Sequence, residues 1–163
     1  MAKIVFMKPA KSIEEFRQLS QAAMSSPADT AAMTMLALSL YPENKEQALQ
    51  MLDFLRGPRP MNGMDKQFVA DRFRGKDYVP RSYFDGATPD NEYAPALPYS
   101  IQVTENPYSY ANSGYAKLFI KSGGADDPRP ITLRNAKDGK WYLWEYSSIL
   151  LGIREPASAN PWA

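Results

Sequence analysis

Between Tyr78 and Tyr115 the hydrophobic pattern of this chain changes its period, and that change restricts the fold more than any single motif. Ahead of it apolar residues recur every three or four positions, as on one face of a helix. Beyond it they alternate, as on one face of a strand. The stretch itself, YVPRSYFDGATPDNEYAPALPYSIQVTENPYSYANSGY, holds seven of the ten tyrosines and five of the fourteen prolines. Helices followed by strands imply an α+β fold, with the helices packed on one face of an antiparallel sheet.

The helical half reads as about four helices. Ser12 and Glu15 form a capping-box pair, which predicts a helix carrying Ile13, Phe16 and Leu19 to about Met24. Ser26-Pro27 starts a second one. Its residues from Ala28 to Leu40 are apolar nearly all round, so it should be buried. A third spans about Glu43–Arg56, with Ala48, Met51, Leu52 and Leu55 on one face, and Gly57-Pro58 stops it. Asn62 caps a fourth, about Gly63–Arg74, expected to turn Met64, Phe68, Val69 and Phe73 inward. Ile4–Met7 fits either a short edge strand or a hydrophobic staple.

Alternation begins at Tyr99, Ile101 and Val103, then resumes at Ala116–Ile120, at Ile131–Leu133 and at Lys140–Tyr146, predicting about four antiparallel strands. Asn135-Ala136-Lys137-Asp138-Gly139 reads as a hairpin turn, and the loop holding Gly123-Gly124 as another connection. Ile149-Leu150-Leu151 fits a short helical turn or a strand extension. Proline stiffens the Tyr/Pro stretch, which predicts an ordered flap lying across the sheet. At 163 residues the chain suits one domain. Within it, residues 1–76 are mainly helical, 77–115 are the flap and first strand, 116–154 are strands and 155–163 are a frayed tail.

Composition removes several chemistries. The chain has neither cysteine nor histidine. Disulfides, thiolate nucleophiles, Ser-His-Asp triads and His- or Cys-bearing zinc sites are therefore excluded, and no cofactor or metal is expected. A formal net charge of +1 gives no global field toward nucleic acid or a membrane. The apolar run at the N-terminus is too short for a secretory signal, and a cytoplasmic location is expected.

Two places remain as candidate sites. Along the last strand Trp141 and Leu143 point one way, while Tyr142, Trp144 and Tyr146 point the other. Either the flap covers that second aromatic face, or the face lines a pocket or a homodimer contact. The flap is the other place: Tyr83, Asp85, Asp90, Asn91 and Tyr93 would converge on a small ligand or a protein partner. Asp85 and Asp90 would be the acid/base pair of an enzyme. Turn chemistry explains the same residues without a ligand, since Asp and Asn satisfy nearby backbone there. The basic set Arg56, Arg59, Lys66, Arg72, Arg74, Lys76 and Arg81 scatters around a helix among Asp65, Asp71 and Asp77. It reads as a solvated face and not as a nucleic-acid surface.

The segments SYFDGATPDNEY (Ser82–Tyr93) and KWYLWEYSS (Lys140–Ser148) resemble signatures of an uncharacterised bacterial family, which brings no function with it. DGKWYLWEYSS is also similar to the last hairpin of NTF2-like cone folds, where helices cradle a curved sheet around a pocket. That similarity supports an alternative, a small-molecule enzyme in a pocketed α+β fold, where without histidine a carboxylate such as Asp85 or Asp90 would work with a tyrosine. The residues themselves favour a non-catalytic binding or interaction module, because surplus aromatic surface comes with no catalytic constellation.

Overall fold

The structure is a computed structural model that describes residues 2–162. In chain order it contains β1 (Ala2–Phe6), α1 (Ile13–Arg17), α2 (Pro27–Leu40), α3 (Lys45–Arg56), α4 (Gly63–Phe73), β2 (Tyr99–Thr104), β3 (Tyr115–Ile120), β4 (Arg129–Asn135) and β5 (Trp141–Glu145). The strands form one antiparallel meander in the order β1-β2-β3-β4-β5. The fold is thus α+β as expected, with a fifth strand supplied by the N-terminal segment. Ala2–Phe6 pairs with β2 from Ala2↔Val103 to Phe6↔Tyr99, which settles the choice between strand and staple. All four helices lie between β1 and β2 in the sequence.

Helix α2 organises the interior. It touches every strand on one side and α3 on the other, so no face of it is left for water. Its near-uniform apolarity follows from that position, and Thr30 to Leu40 are buried almost without break. Its two buried threonines are satisfied: Thr34 donates to the Thr30 carbonyl at 2.8 Å, and Thr30 to the Trp141 carbonyl at 2.7 Å. Ser26 caps the helix by accepting from the Asp29 N–H at 3.2 Å. Ser26→Ala is expected to cost about 1 kcal/mol, measured as a lower urea midpoint at an unchanged slope.

Two helical expectations need correction. The first helix does not run to Met24. It stops after Arg17, and a separate 3₁₀ turn occupies Ser20–Ala23. The break places the Gln21 side chain where its amide donates to the Val5 carbonyl on the free edge of β1, and it drops Met24 into the core. In α4, Val69 and Phe73 are buried, but Met64 is 83% exposed. Met61, just ahead of the Asn62 cap, is the methionine that enters the core instead.

The flap does not lie across the sheet; its middle is inserted into the molecule. Strands β2 and β3 pair only at Val103↔Ile120 and Thr104↔Phe119 and then diverge. Ser82–Asp85 fills the opening: Asp85 N–H donates to the Ser100 carbonyl at 2.8 Å, and Gly123 N–H to the Ser82 carbonyl at 2.8 Å. Tyr83 and Tyr93 are 1% and 0% exposed. A tyrosine can be buried this deeply because its hydroxyl is paired. Tyr83 Oη donates to the Ile149 carbonyl and Tyr93 Oη to the Arg154 carbonyl, each at 2.5 Å. The flap thereby clasps the C-terminal segment.

The glycine pair on the β3–β4 connection is explained by the same insertion. A Cβ on Gly123 would overlap the Ala87 carbonyl oxygen, and one on Gly124 would overlap the Tyr93 hydroxyl. Ile149 and Leu150 belong to a short 3₁₀ turn, Ser147–Leu150. The tail beyond Glu155, expected to fray, forms a turn at Ala157–Ala159, where Ser158 donates through its N–H and hydroxyl to the Glu92 carboxylate.

Candidate functional site: a cationic cleft around Trp144

The β4–β5 hairpin turns at Asp138-Gly139, with Gly139 at φ 86°. Its register is Arg134↔Tyr142 and Leu133↔Leu143, but Thr132 pairs with Glu145, so Trp144 is the extra residue of a bulge. A bulge swings the following residues to the opposite face. The expected sharing of one face by Tyr142, Trp144 and Tyr146 is therefore wrong for the third residue. Tyr146 turns into the core at 6% exposure and packs edge-on to Phe68 of α4, with ring centroids 6.4 Å apart. Burial raises its hydroxyl pKa, and the neighbouring Arg56 charge only partly offsets that rise.

Tyr142 and Trp144 remain half-buried, and only the C-terminal end of the Tyr/Pro stretch, at Tyr108 and Tyr115, comes near Trp144. Two guanidiniums lie against the Trp144 indole. Arg59 Cζ is 3.8 Å from the ring centroid, and its Nη2 donates to the Trp144 carbonyl at 3.0 Å. Arg134 Cζ is 4.6 Å from the same centroid and 5.2 Å from that of Tyr115. Tyr115 meets Trp144 edge-on at 5.6 Å. This is a run of alternating cations and aromatic rings that crosses β3, β4 and β5 to Arg59 beyond the sheet edge.

Local sequence holds Arg59 in place. Gly57 ends α3 at φ 57°, and its bare Cα lets the Tyr142 ring lie directly on the turn. Arg56, only 6% exposed, donates through Nε to the Arg59 carbonyl at 2.9 Å and pairs with Asp65 at 3.2 Å. At the rim Tyr142 Oη donates to Asp138 at 2.7 Å. That bond, aided by burial and the carboxylate charge, pushes the phenol up to about 12, and the same bond holds the Asp138 carboxyl below its ordinary range.

These side chains enclose a cleft of about 460 Å³ lined by Arg56, Arg59, Arg134, Lys137, Tyr142 and Trp144, with Pro58 and Leu143. The volume is in the range of small-molecule sites. Four cationic side chains line it and no carboxylate does. Two further hollows of about 360 Å³ share Trp144 as a wall, one beside Asp65, Phe68 and Tyr146, the other beside Tyr108, Tyr115 and Lys117.

The flap candidates lie elsewhere, and none lines the three hollows at Trp144. Tyr83 and Tyr93 are core residues. Asp85 accepts from Ser100 Oγ at 2.6 Å and Gln102 Nε2 at 2.9 Å, so both its oxygens are occupied by neutral donors. Asn91 closes its own turn: it accepts from the Thr88 N–H at 2.9 Å and donates to the Gly86 carbonyl at 2.7 Å. Asp90 is exposed on that turn.

An acid/base enzyme would need a carboxyl group pushed up inside a cavity. The exposed Glu145 beside Trp144 is pushed the other way. Burial works against its charge, but hydrogen bonds from the Ser147 side chain and from the Ser147 and Tyr146 backbone, with the Arg59 charge, outweigh it.

Sequence reading missed Arg59, Arg134 and Tyr115. Arg134 was legible from the hairpin, since it stands opposite Tyr142 once the turn is placed. The seven-residue basic set is not one solvated face: Arg56 is buried, Arg59 stacks on Trp144, and Arg74 pairs with Asp71.

The structure is that of a small α+β protein with a five-stranded meander, a buried central helix and a cationic aromatic cleft at the sheet edge. The chain belongs to the family described as "Domain of unknown function (DUF6935)", whose model matches residues 8–157. No curated protein and no solved structure matches the chain. No helix among the described residues is long and apolar enough to cross a membrane.

Proposed function

We propose that the chain is a non-catalytic binding module, acting as one domain, whose ligand enters the Trp144 cleft. The observation that carries this reading is the half-open indole with Arg59 and Arg134 against it in a hollow of small-molecule size. In this reading the flap is the scaffold, and its buried tyrosines brace the C-terminal segment behind the cleft. The lack of cysteine fits a reducing compartment, and the cytoplasm is the location we propose.

The test is a thermal-shift screen of small metabolites against the native chain and Trp144→Ala. Removing this half-buried ring is expected to cost about 1–2 kcal/mol, so the variant remains folded. Compounds that raise the native midpoint should leave the variant unmoved. Hits that stabilise both proteins equally would place binding elsewhere and sink the reading. Concentration-dependent dimerisation in sedimentation, abolished by Trp144→Ala, would replace the small ligand with a second copy of the chain.

A further inference from the structure

We infer that the Trp144 cleft is an oxyanion site, and that it takes the phosphate group of a small organic ligand. This inference rests on the cleft being the binding site and adds the class of ligand.

The charge around the cleft is unbalanced. Arg56 is neutralised by Asp65. The other ion pairs among the described residues are Lys11–Glu43, Arg74–Asp71 and Arg154–Asp126, and none involves Arg59, Arg134 or Lys137. Two carboxylates stand at the margin and offset part of this charge: Asp138 accepts from Tyr142 Oη and from the Lys140 N–H, and Glu145, which feels the Arg59 charge, accepts from the Ser147 N–H and forms no ion pair with Arg59. The lining itself carries Arg59, Arg134 and Lys137 without an acidic side chain among them.

The donors are also unspent. A guanidinium has five N–H donors in a planar fork suited to phosphate oxygens. Arg59 spends donors only on the Trp144 carbonyl, and the Arg134 side chain has no hydrogen bond among the described residues. Both guanidiniums lie over aromatic rings, a contact that consumes none of their N–H donors. Lys137 adds a third positive charge on the same hollow, which suits a dianion better than a single carboxylate. Pro58, Leu143 and the rings of Tyr142 and Trp144 supply an apolar wall for the organic part.

Three probes, phenyl phosphate, phenol and inorganic phosphate, titrated against tryptophan fluorescence and by calorimetry, test this. Phenyl phosphate should bind at least tenfold more tightly than phenol. Arg134→Gln and Arg59→Gln should each weaken it about tenfold, and Arg134→Lys should weaken it less, since it keeps the charge but loses the fork. Arg74→Gln, which removes a remote surface pair, should change nothing. Circular dichroism of each variant confirms the fold, and Arg134 is exposed enough to be replaced without disturbing it. Equal binding of phenol and phenyl phosphate at Trp144 would overturn the anion inference and leave the binding reading standing. A phenyl phosphate affinity untouched by either arginine substitution would overturn it as well. No response at Trp144 to these probes or to the metabolite screen would remove both.

Discussion

Tyr83→Ala is expected to lower the stability of this protein by about 3–5 kcal/mol, and Tyr83→Phe by about 1–3 kcal/mol. The two values separate two physical contributions. Alanine removes a ring that is 1% exposed and leaves a cavity where the flap enters the core. Phenylalanine keeps the ring but strips the Ile149 carbonyl of the donor it meets at 2.5 Å. That carbonyl belongs to the 3₁₀ turn following β5, so losing its partner also loosens the chain behind Tyr146. For a chain of this size the alanine variant should melt roughly 10 °C below the native protein. Urea denaturation of the pair measures both quantities. If Tyr83→Ala costs no more than an exposed tyrosine such as Tyr108, the flap is not inserted as described.

The second large effect is at Gly57. Gly57→Ala is expected to cost about 2–4 kcal/mol and to weaken any ligand of the Trp144 cleft. Two causes act together. The residue sits at φ 57°, ψ −113°, a region that side-chain-bearing residues rarely occupy, and an added Cβ would collide with the Tyr142 ring. Moving that ring breaks its bond to Asp138 and shifts a wall of the cleft. Gly139→Ala is the control. It has φ 86° but open space around its Cβ, so only the backbone penalty of about 1 kcal/mol applies. The double variant Gly57→Ala/Tyr142→Ala should be less destabilised than the sum of the two single changes, because the collision is then gone. Additive losses would show that the close approach of ring and turn carries no energetic weight.

Much of the fold was readable from local chemistry. Ser26-Pro27, Asn62 and Gly57 mark helix ends because caps and stops depend on a few adjacent residues. The alternation of Ile101/Val103, Leu118/Ile120 and Ile131/Leu133 located three strands because the period of two is set by backbone geometry alone. The buried helix α2 was legible because it has no polar face. The site was less legible. Trp144 and Tyr142 stood out as surplus aromatic surface, yet Tyr146 was assigned to the same face, since nothing in the residues of β5 announces a bulge. Asp85, Asp90 and Asn91 looked convergent in sequence, but Asp85 is spent on β2, Asn91 on its own turn, and Asp90 faces solvent.

The sequence by itself determined that helices precede the last four strands, the exclusion of histidine and cysteine chemistry, and the presence of a Tyr/Pro-rich stretch between them. These follow from residue type and from spacings within one or two turns of chain. Only the tertiary structure decided that Ala2–Phe6 is the fifth strand, that the flap plugs the gap between β2 and β3, and that Arg59 meets Arg134 across Trp144. Each of those results joins segments far apart in the chain. Such pairings depend on which surfaces fit once the helices have covered the sheet, and no local pattern encodes that fit.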